Sequence, residues 1–317
     1  MQIKYNEISI VVQGKVYDEY TKKCLESIRR ILPGAEIILS TWENSKVDDL
    51  DYDKLVLSKD IGGGSIDSLG ICNNINRQLV STKNGLSISK RKYIFKFRSD
   101  MYLTNSLFLK IYEQYFKKSR IFKQRLLICD YYTRNPRVIP MPFHISDWIL
   151  FGLSVDVKKY YNLITLQSYS EDTWFLNHKN NHSFFKAMLT RYAPEQYMCI
   201  NFFRKYYDIS CVDYADNTTE NLNLTEKIIA ENFLIVDSKK HGIIFQKYSP
   251  NRFKEKFTII SFSDWLNLYN FYINKQNIYF YKIKCFIKHL IYFYLRRLFS
   301  RLFDILGIKN ALREIFY

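Results

Sequence analysis

The chain has 317 residues, of which 47% are hydrophobic, so it can bury a substantial core in one large domain or two smaller ones. Lysine and arginine number 47 against 31 aspartates and glutamates, which gives a net charge of +16. This composition excludes a disordered chain and indicates a polyanionic partner, which could be nucleic acid, anionic lipid or a nucleotide.

The six cysteines are widely spaced and include no C-x-x-C pair, so neither a zinc site nor a disulfide framework is indicated. They are expected to be reduced thiols of a cytosolic protein. The first apolar run, Ile8 to Val12, is too short for a secretory signal and follows no basic cluster. We therefore expect the N-terminus to lead directly into the fold.

The first sixty residues predict the beginning of an α/β sheet. Continuous apolar runs of strand length are typical of strands covered on both faces, and apolar residues at three-to-four spacing predict an amphipathic helix. The predicted elements are a strand at 8–12, a helix at 17–32, and strands at 36–41 and 54–57.

A second helix and a fourth strand follow. Residues 73–81 predict a helix that carries Arg77, either a phosphate-binding cation or a surface charge, and Asn84–Gly85 is expected to end it. Residues 93–97 predict a buried strand. Asp100 comes directly after this strand, where a carboxylate either binds Mg²⁺ or Mn²⁺ together with a diphosphate or caps a turn.

In the middle of the chain, predicted helices and strands alternate again, which favours an α/β sheet. A helix is predicted at 105–118 and a strand at 126–130. Three prolines then exclude a regular helix or a central strand between residues 136 and 143. This segment is therefore expected to be a shaped loop.

His144, Asp147 and Trp148 stand within five residues at the end of this loop, before an apolar strand predicted at 149–152. A carboxylate can hold sugar hydroxyls by charge-assisted hydrogen bonds, and an indole offers an apolar face. These residues predict a sugar pocket. A turn aspartate beside a core tryptophan is the alternative.

The second half of the chain contributes two more candidates. Glu195 follows Pro194 in the first turn of a predicted helix, where it either complements the helix dipole or acts as a general base. Strands are predicted at 233–237 and after the turn at His241–Gly242. His241 is either structural or lies near a diphosphate or a metal.

The character of the chain changes near its end. Residues 275–317 contain nine lysines and arginines against two acidic residues, with aromatic and aliphatic residues between them. No uncharged run is long enough to cross a bilayer. The pattern predicts one or two basic amphipathic helices in the interface of an anionic membrane, or alternatively a helical cap or a dimer contact.

The order of several short motifs carries a family resemblance. The chain presents K-x-R-S-D at 96–100, P-F-H-I-S-D-W at 142–148 and P-E-Q at 194–196, after the strand segments 8–14 and 37–43. In this order it resembles the WavE-type lipopolysaccharide-synthesis glycosyltransferases of bacteria. The resemblance covers roughly residues 5–250 and does not cover the tail well.

The resemblance implies a GT-A-like fold, which is a Rossmann-type mixed sheet flanked by helices. Residues 1–260 would form the transferase domain, with the nucleotide half at 1–104 and the acceptor half at 105–260, and residues 261–317 a basic helical tail. The implied reaction moves a sugar from a nucleoside-diphosphate sugar to a hydroxyl of a lipid-linked, lipopolysaccharide, O-antigen or capsule glycan. The protein is then expected on the cytoplasmic face of the bacterial inner membrane, with its tail on the anionic surface and no nucleic-acid partner.

The resemblance also implies roles for individual residues. Asp147 is the first candidate for the base that deprotonates the acceptor in an inverting reaction, and Glu195 is the second. In a retaining reaction Asp147 would be a sugar ligand instead. The expected substrate-binding residues are Gln13 and Glu43, for the nucleotide base or ribose, with Gly14, Arg77, Arg98, His144 and Trp148.

The donor diphosphate could be neutralised in two ways, with a metal ion or without one. Arg98–Ser99–Asp100 occupies the place of the D-x-D metal motif of such folds, and only its last residue is acidic. Either Asp100 with another ligand such as His241 binds Mg²⁺ or Mn²⁺, or cations such as Arg77 and Arg98 neutralise the leaving diphosphate.

Two other classes of function compete with a transferase. Basic residues interleaved with aromatics in the tail fit single-stranded nucleic acid, although the predicted sheet segments contain no nucleic-acid-binding motif. A non-catalytic scaffold of a glycan assembly complex would need the region of Asp100 and Asp147 to bind no nucleotide sugar. Retention on anionic liposomes compared with single-stranded DNA at matched salt would separate the first class from a membrane-associated enzyme.

Overall fold

The structure is a computed structural model that describes residues 2–117, 119–182, 186–247 and 257–305. Three of the described strands are buried at every residue and three more at every residue but the last, as continuous apolar runs predict. The strands are β1 (Ile8–Gln13), β2 (Glu36–Trp42), β3 (Lys54–Ser58), β4 (Tyr93–Arg98), β5 (Met101–Leu103), β6 (Leu126–Cys129), β7 (Leu150–Leu153), β8 (Phe233–Val236) and β9 (Ile243–Phe245).

Helices flank these strands and contribute apolar side chains to the same hydrophobic core. The helices are α1 (Asp18–Ile31), α2 (Ile75–Ile88), α3 (Leu107–Tyr115), α4 (Ser154–Leu163), α5 (Tyr169–Asp172), α6 (Trp174–Asn177), α7 (Pro194–Phe203), α8 (Thr219–Asn232), α9 (Phe262–Tyr272) and α10 (Tyr279–Ile305).

Seven strands form one mixed sheet in the order β3-β2-β1-β4-β7-β6-β8, and β5 pairs with β9 in a separate ribbon. Strands β1 to β4 are mutually parallel, and β6 is parallel to β8. β7 runs antiparallel to its neighbours β4 and β6. The carboxyl ends of the six other strands therefore meet the beginning of β7 at one edge of the sheet. This mixed α/β architecture confirms the predicted fold class and is consistent with a GT-A-like fold.

The register brings the candidate segments to the same level of this edge. Gln13 pairs with Ser40 of β2 and with Arg98 of β4. Lys96, two residues earlier on β4, pairs with Leu150 at the beginning of β7. The residues before β7 therefore lie beside the end of β4, which is the edge where ligands bind in open α/β sheets.

The prediction that Asn84–Gly85 ends the second helix is wrong, because α2 continues to Ile88. A Cβ atom on residue 85 would lie 2.4 Å from Val11 Cγ1 and 3.0 Å from Ser40 Cβ. Glycine at this position lets α2 pack closely on β1 and β2. Its role is close approach of two backbones rather than helix termination.

Some helices were not predicted. The polar segment near residue 218 begins α8, since the Thr218 side chain caps the helix by accepting a hydrogen bond from the Asn221 backbone N–H. Helix α4 was also missed, whereas α9 lies within the tail predicted to be helical, residues 261–317. The predicted helix at 105–118 exists as the shorter α3, which begins after Ser106.

The beginning of the predicted tail packs against the sheet domain. Trp265 of α9 and Cys285 of α10 are fully buried and belong to the main core. Two lysines of α10, Lys284 and Lys288, pair with Asp264 of α9 at 2.7 and 3.3 Å. None of the described helices is long and apolar enough to cross a membrane. The last part of the predicted tail, 306–317, lies outside the described residues.

Candidate functional site

A cavity of about 910 Å³ lies where β1, β2 and β4 end, with the beginning of α2 as a further wall. Four carboxylates line it together with a larger number of cations, so its charge suits an anionic ligand. The cations are Lys15, Lys46, Lys59, Arg77, Arg98 and Lys247.

Gln13 and Gly14 line this cavity at the end of β1. The buried Gln13 side chain accepts a hydrogen bond from Ser81 Oγ of α2 at 2.9 Å, which ties the strand to the helix. Gly14 has a φ of +120°, and a Cβ there would approach Ser99 Oγ to 3.3 Å. Glycine therefore allows the chain to turn closely against the segment after β4.

Arg77 and Glu43 also line the cavity. Nε and Nη2 of Arg77 each donate to one Asp60 carboxylate oxygen at 2.7 Å, and Nη1 donates to Asn74 Oδ1 at 3.0 Å. These bonds hold the guanidinium in one orientation while about a third of the side chain stays exposed. Glu43 is exposed just after β2.

Arg98 and Asp100 form a bidentate ion pair at the end of β4. Nε and Nη2 of Arg98 donate to the two carboxylate oxygens at 2.8 and 2.7 Å, and Asp100 is only 3% exposed. Burial alone would raise the pKa of Asp100, but the hydrogen bonds and charge of Arg98 outweigh it and hold the pKa below its ordinary value. The guanidinium also stands 4.3 Å from the centre of the Trp148 ring, so it links the cavity to the segment before β7.

The described residues do not fit the donor set of Mg²⁺ or Mn²⁺. Both oxygens of Asp100 accept hydrogen bonds from Arg98, at 2.8 and 2.7 Å. No group of three His, Cys, Asp or Glu side chains in the described part of the chain could hold a metal ion.

The β5–β9 ribbon separates the two predicted metal ligands. Met101 is paired with Phe245 and Leu103 with Ile243, so Asp100 and His241 lie beyond opposite ends of this ribbon. Five residues of strand spacing correspond to a separation on the order of 15 Å. The structure therefore places Asp100 in the cavity lining and His241 elsewhere.

The loop between β6 and β7 is buried and held in one shape. Tyr132 and Phe143 adopt positive φ angles of 62° and 59°, which non-glycine residues rarely adopt unless packing imposes them. His144 Nδ1 is hydrogen-bonded to the Tyr132 carbonyl oxygen at 2.8 Å, and the Arg134 N–H donates to the His144 carbonyl oxygen at 2.9 Å. These bonds join the two halves of the loop.

Trp148 is 5% exposed, and aromatic side chains surround it. Tyr132 stacks on it with ring centres 4.8 Å apart, while Tyr131 and Phe245 contact it edge to face. Together with Arg98, these neighbours cover the indole in this structure. It therefore does not present the open apolar face that a sugar pocket would use.

Asp147 is buried beside Trp148, and its Oδ2 has no hydrogen-bond partner among the described residues. Burial raises the pKa of Asp147 to about 6, with the charge of Lys96 opposing the shift and that of Glu195 adding to it. The fully buried Lys96 donates from Nζ to the carbonyl oxygens of Asp147 and Trp148. A carboxyl group with its pKa near 6 is suited to accept a proton near neutral pH.

Glu195 lies in the first turn of α7 and faces the same cluster. Trp148 Nε1 donates to its Oε1 at 3.3 Å, and His144 Nε2 lies 3.7 Å from its Oε2. Burial raises the pKa of Glu195, although the bond from Trp148 and nearby arginines oppose the shift. The predicted residues His144, Asp147, Trp148 and Glu195 thus come together in a buried cluster, which we call the carboxylate–tryptophan cluster.

Sequence reasoning missed two sets of residues. Lys96 could have been noticed, because it is a cation inside an otherwise apolar strand. The cavity lysines carry no such signal, since they come from separate connecting segments that only the fold brings together. These residues are Lys15, Lys46, Lys59 and Lys247.

One comparison with known proteins found a match, to a protein-family model. The family model for WavE lipopolysaccharide synthesis matches residues 8–300, which include the cavity, the carboxylate–tryptophan cluster and much of α10. The match extends well past residue 250, where the resemblance seen in the sequence ends. No curated protein matches the chain significantly. The chain belongs to the WavE lipopolysaccharide synthesis family.

Proposed function

We propose that the protein is a glycosyltransferase that moves a sugar from a nucleoside-diphosphate sugar to a hydroxyl of a bacterial lipopolysaccharide, O-antigen or capsule glycan. The observation that carries the proposal is the cation-lined cavity of about 910 Å³ at the carboxyl ends of β1, β2 and β4, next to buried carboxylates. Such a volume accommodates a ligand of nucleotide-sugar size. Membership of a lipopolysaccharide-synthesis family supports the same class of substrate.

The donor would occupy the cavity. Gln13 and Glu43 stand where β1 and β2 end and are suited to contact the nucleotide base or ribose. Arg77 and Arg98 are held by carboxylates in fixed orientations, which reduces the entropy lost when they bind phosphate oxygens. Gly14 keeps the turn after β1 free of a side chain.

The acceptor would approach from the carboxylate–tryptophan cluster. In an inverting transfer, the acceptor oxygen forms a bond to the anomeric carbon while the bond from that carbon to the diphosphate oxygen breaks. Asp147 takes the hydroxyl proton, and the nucleoside diphosphate leaves with the bonding electrons. Glu195 is the second candidate for the base, and the buried His144 and Trp148, which both contact Glu195, would orient that carboxylate. In a retaining transfer Asp147 would instead bind a sugar hydroxyl.

A nucleotide panel tests this proposal on the purified full chain. Thermal unfolding would be followed with UDP, GDP, CMP and dTDP and with their sugar conjugates, because a ligand at 100 times its dissociation constant adds about 2.7 kcal/mol of stability. We expect stabilisation by one nucleotide class, and transfer of the matching sugar to a lipopolysaccharide acceptor. Failure of every nucleotide to stabilise the protein, while single-stranded DNA does so, would overturn the proposal in favour of a nucleic-acid-binding protein.

A further inference from the structure

We infer that the protein binds the diphosphate of its donor with arginine and lysine side chains and does not require a divalent cation. This inference rests on the proposed function and deepens it. It is based on the hydrogen bonds of Asp100, the only carboxylate in the segment Arg98–Ser99–Asp100. Both of its oxygens accept hydrogen bonds from Arg98, so a metal ion would have to share this carboxylate with the guanidinium.

The described residues around Asp100 contain no preformed set of three metal ligands. The described residues contain no metal-binding group of His, Cys, Asp or Glu side chains, and Ser99 uses its hydroxyl to donate to the Lys15 carbonyl oxygen at 2.6 Å. The other carboxylate close to a cavity arginine, Asp60, is bound bidentately to Arg77. Two cavity carboxylates thus orient arginines.

The cations around the cavity can supply the positive charge that the reaction needs. Negative charge accumulates on the leaving diphosphate as its bond to the sugar breaks, and prepositioned cations stabilise that charge. Arg77 from α2 and Arg98 from β4 line the cavity from two elements, and Lys247 follows β9 on another side. Guanidinium groups match phosphate oxygens in geometry and remain charged at all relevant pH values.

Calorimetric titration of UDP, GDP and dTDP, in EDTA and in Mn²⁺, tests the inference. We expect the nucleotide that binds to have the same affinity in both. Arg77→Gln should weaken its binding about 10-fold or more without EDTA sensitivity, because a charge-assisted bidentate contact is lost. The matched control is Arg29→Gln, which removes a similarly exposed arginine paired with Asp51 and Asp53 and should bind as the wild type does.

Three outcomes are distinguishable. Equal affinity in EDTA and Mn²⁺, with weakening only in Arg77→Gln, supports the inference. Binding that EDTA abolishes and Mn²⁺ restores would overturn the inference and leave the proposed transferase intact. Absence of binding by every nucleotide in both buffers would overturn the donor site and the proposed function together.

A second inference comes from α10, where we propose a docking surface for an anionic membrane. One face of this helix is packed on the domain through the buried residues Tyr281, Cys285 and Tyr292. The other side is exposed although it is apolar. Six large side chains there are about half exposed or more, namely Tyr279, Phe280, Phe286, Ile287, Leu290 and Tyr294.

The charge of the helix selects lipid as the occupant. Lys282 and Arg297 are exposed among these apolar residues, and the described side chains of α10 include no carboxylate. Apolar side chains between cations are the pattern of a helix that lies in the interface of an anionic leaflet. The helix would lie in the membrane interface with these apolar side chains toward the acyl chains. This position suits an enzyme with a lipid-linked acceptor on the cytoplasmic face of the inner membrane.

Vesicle sedimentation tests this surface with the full chain. Phosphatidylglycerol–phosphatidylcholine vesicles should retain the protein at low salt, and phosphatidylcholine alone should not. The double variant Phe280→Ser with Phe286→Ser should bind about 10-fold more weakly, since the apolar area available to the interface falls. The control, Ile71→Ser with Leu176→Ser, removes apolar side chains of similar exposure outside α10 and should bind normally.

The competing occupant is a second copy of the chain. Light scattering across protein concentrations would detect a dimer, and loss of that dimer in Phe280→Ser with Phe286→Ser, without vesicle binding by the wild type, would overturn the membrane surface. Retention on vesicles that is unchanged by the double variant would also overturn it.

Discussion

The two parts of the sheet edge differ in how their charged residues meet solvent. The cavity at the ends of β1, β2 and β4 has space for a ligand, and Arg77 on its wall is about a third exposed. The carboxylate–tryptophan cluster before β7 is closed, with Asp147 only 3% exposed and Trp148 covered by other rings. Arg98 belongs to both, because it lines the cavity and stands over Trp148.

This difference follows from the topology of the strands. Parallel strands end in separate connections that diverge, which leaves a crevice at their carboxyl ends. β7 is antiparallel, so the chain must arrive at this edge through the long loop after β6, and the loop fills the space there. The open part can therefore admit a ligand, while burial in the closed part raises the pKa of Asp147 and Glu195.

The largest expected effect concerns Asp147, the proposed base in the closed cluster. Asp147→Asn should lower the rate of sugar transfer by about 10² to 10⁴-fold, because a general base contributes that much. The affinity for the donor nucleotide should stay unchanged, since the residue does not line the cavity. Steady-state kinetics and calorimetry on the same sample check both statements. Equal losses in turnover and donor affinity would contradict the assignment.

The next largest effect is expected at Lys96, the buried cation that is hydrogen-bonded to this cluster. Lys96→Met should lower the free energy of unfolding by about 3 to 5 kcal/mol, since it leaves buried partners without their charge and hydrogen bonds. Lys92→Met is the control, because Lys92 pairs with Glu7 at an exposed site. This substitution should lower the free energy of unfolding by about 1 kcal/mol or less. Urea unfolding measures both. Similar costs for the two variants would show that Lys96 does not stabilise the cluster.

A smaller effect is expected in α2, at the glycine that packs against β1 and β2. Gly85→Ala should destabilise the protein by about 1 to 3 kcal/mol, because the new methyl group would overlap Val11 unless α2 shifts. Thermal unfolding measures the change. At an ordinary glycine inside a helix, substitution by alanine would instead raise the free energy of unfolding by about 1 kcal/mol. Stabilisation would therefore refute the close packing of α2 on β1.

The smallest effect is a pH dependence that only the closed cluster should show. Transfer should fall by about tenfold per pH unit below about pH 6, where Asp147 becomes protonated. The residual activity of Asp147→Asn should lack this decline. The pKa of Asp147 is raised on folding, so its contribution to stability is present below the unfolded pKa of about 4 and lost as pH rises through about 6. Nucleotide affinity over the same range should not follow this profile.

The sequence alone predicted most of the strands and the residues at their ends. Apolar runs report burial directly, so the first four strands were predicted to within a residue or so. Helices α4 and α8 were missed, and α2 was predicted to end too early, at Gly85. In that last case glycine serves the contact between α2 and β1, which depends on a tertiary neighbour that no local pattern reveals.

By itself, then, the sequence determined the α/β class and the candidates Asp100, Asp147 and Glu195, because these depend on local periodicity and on motifs. Only the tertiary structure decided how the candidates are grouped. It put Arg98 on both oxygens of Asp100, placed His241 beyond the far end of the β5–β9 ribbon, and covered Trp148 with aromatic rings. Such contacts join residues far apart in the chain, and they depend on strand order, strand direction and register, which a single sequence does not encode in any local pattern.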